Sequence, residues 1–433
     1  MKKVFLLLGS LFFFSHPVFA LNIIRDTEIE EVLTQYVQQI FTAGNLPKEN
    51  AEVILINDNS INAFVAGGQT IFVHTGLITH AQYIDDLMFV LSHETGHIIG
   101  GHITRGITAY QKAQKTALIS TILGGILAVA SGRPDAGIAV MMGSQTSAMG
   151  TFTSYRQVEE SSADRTAVDI MQKMGYSMQG FTHIMNQIQS EERLNVSNDK
   201  SLNYLRTHPL TSDRKQNIQH FLGKTPAPRR DKKFERIKAK LMAFMLPPAS
   251  VRPLYNKNTP DDIYANAILD FREHNLQGAL SKLDTLLKLE PQNPYLYELK
   301  GQFEFESGKV NQAIQNYTKA VQLNPAPLIQ ISLAQALTEK GSTVAAQQAL
   351  SLLNQAILKE GQTALPWRLM ATAYDKLDQK EMAQYAMAEY YLASNQKEQA
   401  QKTAQKLLEK IDKKTPQYQK LKDILDKIKA QQD

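Results

Sequence analysis

The first half of the chain contains two short segments in which the apolar residues follow different spacings. Between residues 81 and 92, side chains such as Ile84, Leu87 and Leu91 recur on one helical face, which predicts a helix with a buried side. The run 69–74 follows two glycines and is rich in residues that favour strands, so we expect a short strand there. The two patterns together predict a mainly helical domain with a small β-sheet.

The second half of the chain is periodic. Three apolar or turn-forming residues recur after 34 residues, with weaker copies continuing as far as residue 400: Ala279, Leu289 and Pro291 return as Ala313, Leu323 and Pro325. This period is the length of the tetratricopeptide repeat, a helix pair that stacks on its neighbours to form a curved scaffold with a concave binding face. We therefore expect an all-α repeat solenoid after the first domain.

Proline-rich stretches at 226–228 and 247–248 separate the two halves and bracket a helix predicted at about 231–246. A chain of 433 residues is too long for one ordinary core. We expect a first domain over residues 21–255, which includes this bridging helix, and a repeat domain over 256–433. The bridging stretch is a candidate hinge.

The first twenty residues have the layout of a signal peptide. Lys2 and Lys3 precede an apolar core over residues 4–14, and small residues lead to Ala20, after which we expect cleavage. No later segment reaches the roughly 20 uninterrupted apolar residues of a membrane span. The chain has no cysteine, which excludes disulfides and a lipoprotein anchor. The mature protein is therefore expected to be soluble in a bacterial periplasm.

Two further segments have distinctive compositions. Residues 116–150 are apolar and rich in small side chains, which predicts a helical hairpin packed within the first domain, with membrane contact or a lid over the cleft as alternatives. The formal net charge of +5 falls to +3 when Lys2 and Lys3 are removed, and residues 397–433 carry ten lysines against six acids. We interpret this tail as a solvated helix and expect no nucleic-acid partner.

The most specific chemical motif is His93-Glu94-Thr95-Gly96-His97. Residues four apart return to nearly the same helical face, so His93 and His97 can offer two imidazoles to one metal ion. A catalytic zinc ion needs about three protein ligands and one open position for water. Glu94 lies beside the metal and is the candidate base for that water.

Two candidates could supply the third ligand. The longer metzincin pattern requires histidine at position 103, but the chain has Ile103 there and His102 one residue earlier. A carboxylate from a later helix fits better, because Glu160 and Asp164 are four residues apart and face the same way. Glu160 would bind the metal, and Asp164 would hold a ligand imidazole by its second nitrogen. Glu159 is the competing ligand, but its neighbour four residues on is Ala163, which cannot orient an imidazole.

These motifs, together with Asn62-Ala63-Phe64 and the strand that follows, resemble the HtpX and CAAX prenyl protease type of zinc metallopeptidase. The resemblance covers residues 22 to about 245, and the layout is similar to the soluble periplasmic members of this family that carry C-terminal tetratricopeptide repeats. It implies a zincin-type α+β domain with one zinc ion per chain. It also implies that His93, His97 and Glu160 bind the metal, that Glu94 is the base, and that Asp164 supports the site.

The resemblance extends to a possible switch and to substrate binding. It implies that His208 can cover the zinc ion and keep the enzyme latent, with Arg214 supporting its loop; a simple turn at His208-Pro209 is the alternative. We predict that residues 69–74 form an edge strand along the cleft that pairs with an extended substrate. Its candidate binding residues are Gly68, Gln69 and Ile71, with an internal strand as the alternative. The resemblance places Asn62 near the cleft.

The prediction for function is a periplasmic zinc endopeptidase that hydrolyses misfolded or stalled envelope and outer-membrane proteins. The repeats would recruit the outer-membrane β-barrel assembly machinery, which implies a role in quality control. The alternative is a chaperone or adaptor that acts through its repeats while the protease site stays latent. Replacement of Glu94 or Glu160 by another residue type would favour the adaptor hypothesis, but both glutamates are present.

Overall fold

The protein is described by a computed structural model. It covers residues 22–66, 68–102, 105, 157–194, 208, 214, 216, 225–361 and 363–430. The predicted signal peptide and the predicted hairpin over 116–150 lie outside these residues. Within the described part of the chain, no helix is both long enough and apolar enough to cross a membrane.

A four-stranded sheet lies near the start of the chain. Its strands are β1 (Ile23–Ile24), β2 (Glu52–Ile56), β3 (Ala63–Ala66) and β4 (Thr70–His74), in the spatial order β1-β2-β4-β3. β2 and β4 are parallel, whereas the two outer pairs are antiparallel. Among the described strands, β3 and not β4 therefore lies at an edge of the sheet.

This order corrects the prediction of an edge strand over residues 69–74. β4 pairs with β2 along its whole length and with β3 from Thr70 to Val73, so both of its backbone edges are occupied. The Ile71 side chain is fully buried in the core. Neither the β4 backbone nor Ile71 is available to bind a substrate.

Helices complete the first region. They are α1 (Thr27–Ala43), α2 (Thr75–His80), α3 (Ile84–Gly100), α4 (described over 157–174) and α5 (Gln179–Leu194), with a short 3-10 turn at Lys48–Asn50. Their apolar faces and the inner face of the sheet form one buried core. Within it the rings of Phe89 on α3 and Phe181 on α5 lie 5.1 Å apart. This core fixes α3, which carries the histidine motif.

The predicted bridging helix is α6 (Lys232–Met245), and Asp231 caps it by accepting the Phe234 N–H. A short helix α7 (Pro248–Val251) and a 3-10 turn (Arg252–Leu254) follow. Phe234, Ile237 and Leu241 belong to the core of the first region, whereas Met242 and Ala243 belong to the core of the first repeat helices. α6 is therefore an element shared by two cores.

The described residues after Leu254 form ten helices, which make up the repeat region. They are α8 (Pro260–Arg272), α9 (Leu276–Leu289), α10 (Pro294–Glu306), α11 (Val310–Leu323), α12 (Pro327–Lys340), α13 (Thr343–Glu360), α14 (Ala364–Lys376), α15 (Lys380–Ala393), α16 (Lys397–Leu408) and α17 (Pro416–Ala430). Gly301 lets Tyr317 pack against its backbone, since a Cβ there would lie 2.9 Å from the ring. The predicted fold class, a mainly helical domain with a small sheet followed by an all-α repeat solenoid, is confirmed.

The helix α6 and the repeat helices contact the residues around the start of α1 through ion pairs and hydrogen bonds. The Lys240 Nζ on α6 lies 2.7 Å from Asp26 Oδ2 and 3.1 Å from Glu28 Oε2. The Tyr264 hydroxyl on α8 donates to Glu28 over 2.7 Å, and the Arg25 guanidinium donates to both oxygens of Glu360 on α13 over 2.8 Å. The contacts of Tyr264 and of Glu360 join residues on the two sides of the predicted domain boundary at residue 255. The position of that boundary stays a prediction.

Candidate metal and active site

α3 presents the histidine motif at the centre of the first region. Near its start, Asp86 accepts the backbone N–H groups of Gln82 and Tyr83. It ends at Gly101, which adopts the left-handed conformation with φ +62°. His93 and Glu94 are both buried, while His97 is slightly more exposed. The helical spacing turns His93 and His97 toward the same point, as the motif predicts.

α4 brings the two predicted carboxylates to that point. The helices approach closely at Gly96, where an added Cβ would lie only 2.8 Å from both the Cα and the carbonyl oxygen of Ala163. A side chain at position 96 would therefore force the helices apart. This close contact lies one residue before Asp164 and three residues after Glu160, which places both carboxylates against the α3 histidines.

Ligand atoms from four residues converge. The Nε2 atoms of His93 and His97 are 3.1 Å apart, and each lies 3.3–3.4 Å from an oxygen of Glu160. His208 Nδ1 completes the group, 3.2 Å from His93 Nε2 and 3.1 Å from both Glu160 oxygens. One ligand atom from each residue lies within 4.8 Å of the others.

These distances fit a small divalent cation. A tetrahedral ion with ligand bonds of about 2.0–2.1 Å holds its ligand atoms about 3.3–3.4 Å apart, which is close to the spacing of this cluster. Imidazole nitrogens and one carboxylate are also the donor set that zinc prefers. The residues at this point can therefore hold a metal ion, with His208 at the fourth corner.

Asp164 orients the first histidine. Its Oδ1 lies 2.9 Å from His93 Nδ1, so it accepts that N–H and leaves Nε2 free to face the cluster. Arg214, which is almost fully buried, donates through Nε to Asp164 Oδ2 over 2.6 Å and through Nη2 to Oδ1 over 2.9 Å. Burial alone would raise the pKa of Asp164, but the hydrogen bonds from Arg214 and His93 lower it.

The electrostatics of the cluster favour a cation. Burial opposes protonation of His93, yet the carboxylates of Asp164 and Glu160 raise the pKa of that histidine to about 10. Burial and the neighbouring positive groups lower the pKa of His97 to about 2. The carboxylates thus create a negative field at His93, and His97 keeps an unprotonated nitrogen. A metal ion requires neutral imidazole ligands, so it could bind the unprotonated Nε2 of His97 directly, whereas at His93 it would have to replace the proton that the two carboxylates favour.

Glu94 lies beside the cluster without joining it. Its carboxyl group is buried, and its Oε1 has no hydrogen-bond partner within the part of the chain that the structure describes. His208 Nε2 lies 3.5 Å from Glu94 Oε1. Burial raises the pKa of Glu94, which makes its carboxylate a better proton acceptor near neutral pH.

The remaining predicted residues lie elsewhere. Gly68 and Gln69 form the turn between β3 and β4, where Gly68 has φ +106°. Asn62 is buried just before β3, and its Oδ1 lacks a hydrogen-bond partner among the described residues. His74 N–H donates to the Asn62 carbonyl oxygen. None of these three residues belongs to the group of metal-ligating side chains, and their predicted substrate role stays a prediction.

Sequence reasoning missed one residue of the site. His102, considered only as a ligand in the metzincin pattern, is buried, and its Nδ1 lies 2.9 Å from His97 Nδ1. The signal for this position was the pair Gly100-Gly101 directly before it, because glycines allow the chain to turn back at a helix end.

Comparison with known proteins agrees with this geometry. Residues 25–222 match Peptidase family M48, and this region contains every ligand of the cluster. These residues form a peptidase family M48 domain. The predicted metallopeptidase activity and the family resemblance are confirmed. The match to this family of metallopeptidases also implies a metal cofactor, which agrees with the convergent histidine and glutamate ligands.

The similarity to known proteins extends beyond the residues that match the M48 family. The β-barrel assembly-enhancing protease of Escherichia coli K12 is 24% identical over 394 residues, which span 86% of this chain and 78% of the relative. The protein of the same description from Yersinia pestis is 26% identical, spanning 82% and 75%. Mitochondrial metalloendopeptidase OMA1 of Arabidopsis thaliana is 37% identical over 57 residues, 13% of this chain and 12% of the relative.

Proposed function

We propose that the chain is a periplasmic zinc endopeptidase that cleaves unfolded or misassembled outer-membrane proteins. The convergence of His93, His97 and Glu160, with Glu94 buried beside them, carries this proposal. When bound, zinc would supply a Lewis acid and lower the pKa of its water toward neutrality. One ion per chain would be held by these three ligands.

The protein side chains would perform the proton transfers. Glu94 would accept a proton from the attacking water and deliver it to the leaving amine. Its burial and raised pKa suit both transfers, because the group must gain a proton and then release it. Asp164 keeps His93 in the required tautomer, and Arg214 holds Asp164 in place.

Substrate binding is proposed at β3 in place of β4. β3 (Ala63–Ala66) is an outer strand of the sheet and contacts α3. An extended substrate could add to this edge through backbone hydrogen bonds, which give affinity with little dependence on sequence. Asn62 directly precedes the strand, and its Oδ1, which has no hydrogen-bond partner among the residues that the structure describes, supports a role at the end of the bound segment.

The setting of the reaction follows from the relatives and from the start of the chain. The relatives named for β-barrel assembly support outer-membrane proteins as substrates, with the assembly machinery as the partner of the repeats. The basic and apolar residues before Ala20 support export to the periplasm. The repeat helices offer the recruiting surface that such a role requires.

His208 supports a latent resting state. Its Nδ1 lies at the fourth corner of the cluster, where the attacking water would otherwise bind. Arg214 Nη1 donates to the carbonyl oxygen of His208 over 3.3 Å. His208→Ala should therefore increase proteolysis, whereas His80→Ala, an exposed histidine on α2, should leave it unchanged. Unchanged or lower activity of the His208 variant would refute the switch.

The main test is cleavage of an unfolded outer-membrane barrel protein by residues 21–433. Glu94→Gln should abolish cleavage, because the amide cannot accept the proton, while Glu52→Gln on an exposed strand position should retain it. The adaptor alternative predicts that Glu94→Gln keeps full function in cells. Loss of cellular function in that variant would exclude the adaptor.

A further inference from the structure

His102 lies directly behind the second metal-binding histidine. It is the second residue beyond α3, and only 4% of it is exposed. Its Nδ1 is 2.9 Å from His97 Nδ1, and the two rings meet nearly at right angles, 78° apart, with centroids separated by 5.0 Å. The other nitrogen of His97, Nε2, faces the ligand cluster.

The local backbone is shaped to admit this ring. Gly101 ends the helix in the left-handed conformation at φ +62°, which turns the chain back toward α3. Gly100 lies beneath the ring: an added Cβ there would fall 2.2 Å from His102 Nε2 and 2.6 Å from two ring carbons. A residue with any side chain at position 100 would therefore displace the imidazole.

The proton positions follow from the geometry. A metal-binding nitrogen must present its lone pair, so the proton of neutral His97 lies on Nδ1 and not on Nε2. The His97 Nδ1–H then points at His102 Nδ1, which accepts it, and the proton of His102 lies on its own Nε2. His102 thus accepts the Nδ1–H of His97 in the same way that Asp164 accepts the Nδ1–H of His93.

We infer that His102 is a positioning residue that fixes the tautomer and the ring orientation of His97 for metal binding. The inference rests on the proposed metal site and deepens it. It also assigns a purpose to the Gly100-Gly101 pair, which creates the space and the turn that place this imidazole. A neutral acceptor replaces the carboxylate used at His93, so the second histidine is oriented without adding another negative charge.

The test measures zinc affinity by competition with a chromophoric chelator, using the chain over residues 21–433 with Glu94→Gln to prevent self-cleavage. His102→Leu keeps the volume but removes the acceptor, and we expect zinc to bind about 10- to 100-fold more weakly. His102→Asn restores an acceptor close to the position of Nδ1, so its affinity should stay within about threefold of the parent. His80→Leu is the matched histidine control.

Gly100→Ala provides an independent perturbation. It removes no polar atom and favours the helix by propensity, yet it should weaken zinc binding by pushing the His102 ring away. Urea unfolding of the metal-free proteins separates positioning from a structural role.

Equal zinc affinity in His102→Leu and the parent would overturn the inference, as would a loss in metal-free stability that His102→Asn fails to rescue. Absence of zinc binding by the parent itself would overturn the proposed function as well, which distinguishes the two failures.

Discussion

Asp164→Asn tests how the site holds its first histidine. The substitution keeps the shape of the side chain and one acceptor oxygen 2.9 Å from His93 Nδ1, but it removes the charge. Partners of this kind typically change metal affinity by 10- to 100-fold, which corresponds to about 1.4 to 2.8 kcal/mol. Because an acceptor oxygen remains, we expect the lower end, about tenfold weaker zinc binding.

The same change also affects the metal-free protein. Arg214 is 1% exposed and loses a charged partner held through two hydrogen bonds. Removing one member of a buried ion pair costs about 3–5 kcal/mol. Glu160 Oε2 still lies 3.0 Å from Arg214 Nη1, so we expect about 3 kcal/mol.

Two assays measure these effects in the Glu94→Gln background. Chelator competition gives the zinc dissociation constant, and urea unfolding in the presence of EDTA gives the stability of the metal-free protein. Asp169→Asn is the matched control, because Asp169 is exposed on the same helix. Zinc affinity and stability that both equal those of the control would refute the assigned role of Asp164.

Three further predictions concern stability and helix packing. Lys240→Met leaves Asp26 and Glu28 without their shared cation and should lower the free energy of urea unfolding by about 3 kcal/mol, whereas exposed Lys232→Met on the same helix should cost under about 0.5 kcal/mol. The pKa of Glu298 is raised to about 8 by burial and by Asp26 and Glu28, although Lys240 opposes the shift. A raised carboxyl pKa gives stability that is present at low pH and lost as pH rises from about 4.3 toward 8; Glu298→Gln should flatten this part of the stability profile. Gly96→Ala should separate α3 from α4 at Ala163 and weaken zinc binding, and an unchanged zinc dissociation constant would contradict the close contact.

The local part of the site could be predicted from the sequence because it depends on helical spacing alone. His93 and His97 are four residues apart and lie on one face of a single helix. Glu160 and Asp164 have the same spacing, which predicts that they share one face of a second helix. Both pairs meet in the structure. The 34-residue period likewise identified the repeat helices, since each helix pair depends mainly on its nearest neighbours.

Features that depend on distant parts of the chain could not be predicted in the same way. The position of β4 between β2 and β3 is a matter of strand order, which the alternation of residues within 69–74 does not encode. The buried ionic group around Lys240 joins residues more than 200 positions apart. The role of His102 is not encoded in the ligand motif for a different reason: the motif presents it only as a candidate ligand, whereas the left-handed turn at Gly101 makes it a partner of His97.

The most direct test of the central claim is zinc-dependent peptide cleavage in the His208→Ala background, where latency cannot hide activity. The account predicts that His208→Ala over residues 21–433 cleaves an unfolded outer-membrane barrel protein, that EDTA stops the reaction and stoichiometric zinc restores it, and that adding Glu94→Gln abolishes it. Cleavage that persists with Glu94→Gln or in EDTA would contradict the account, as would no cleavage by the zinc-loaded His208→Ala protein.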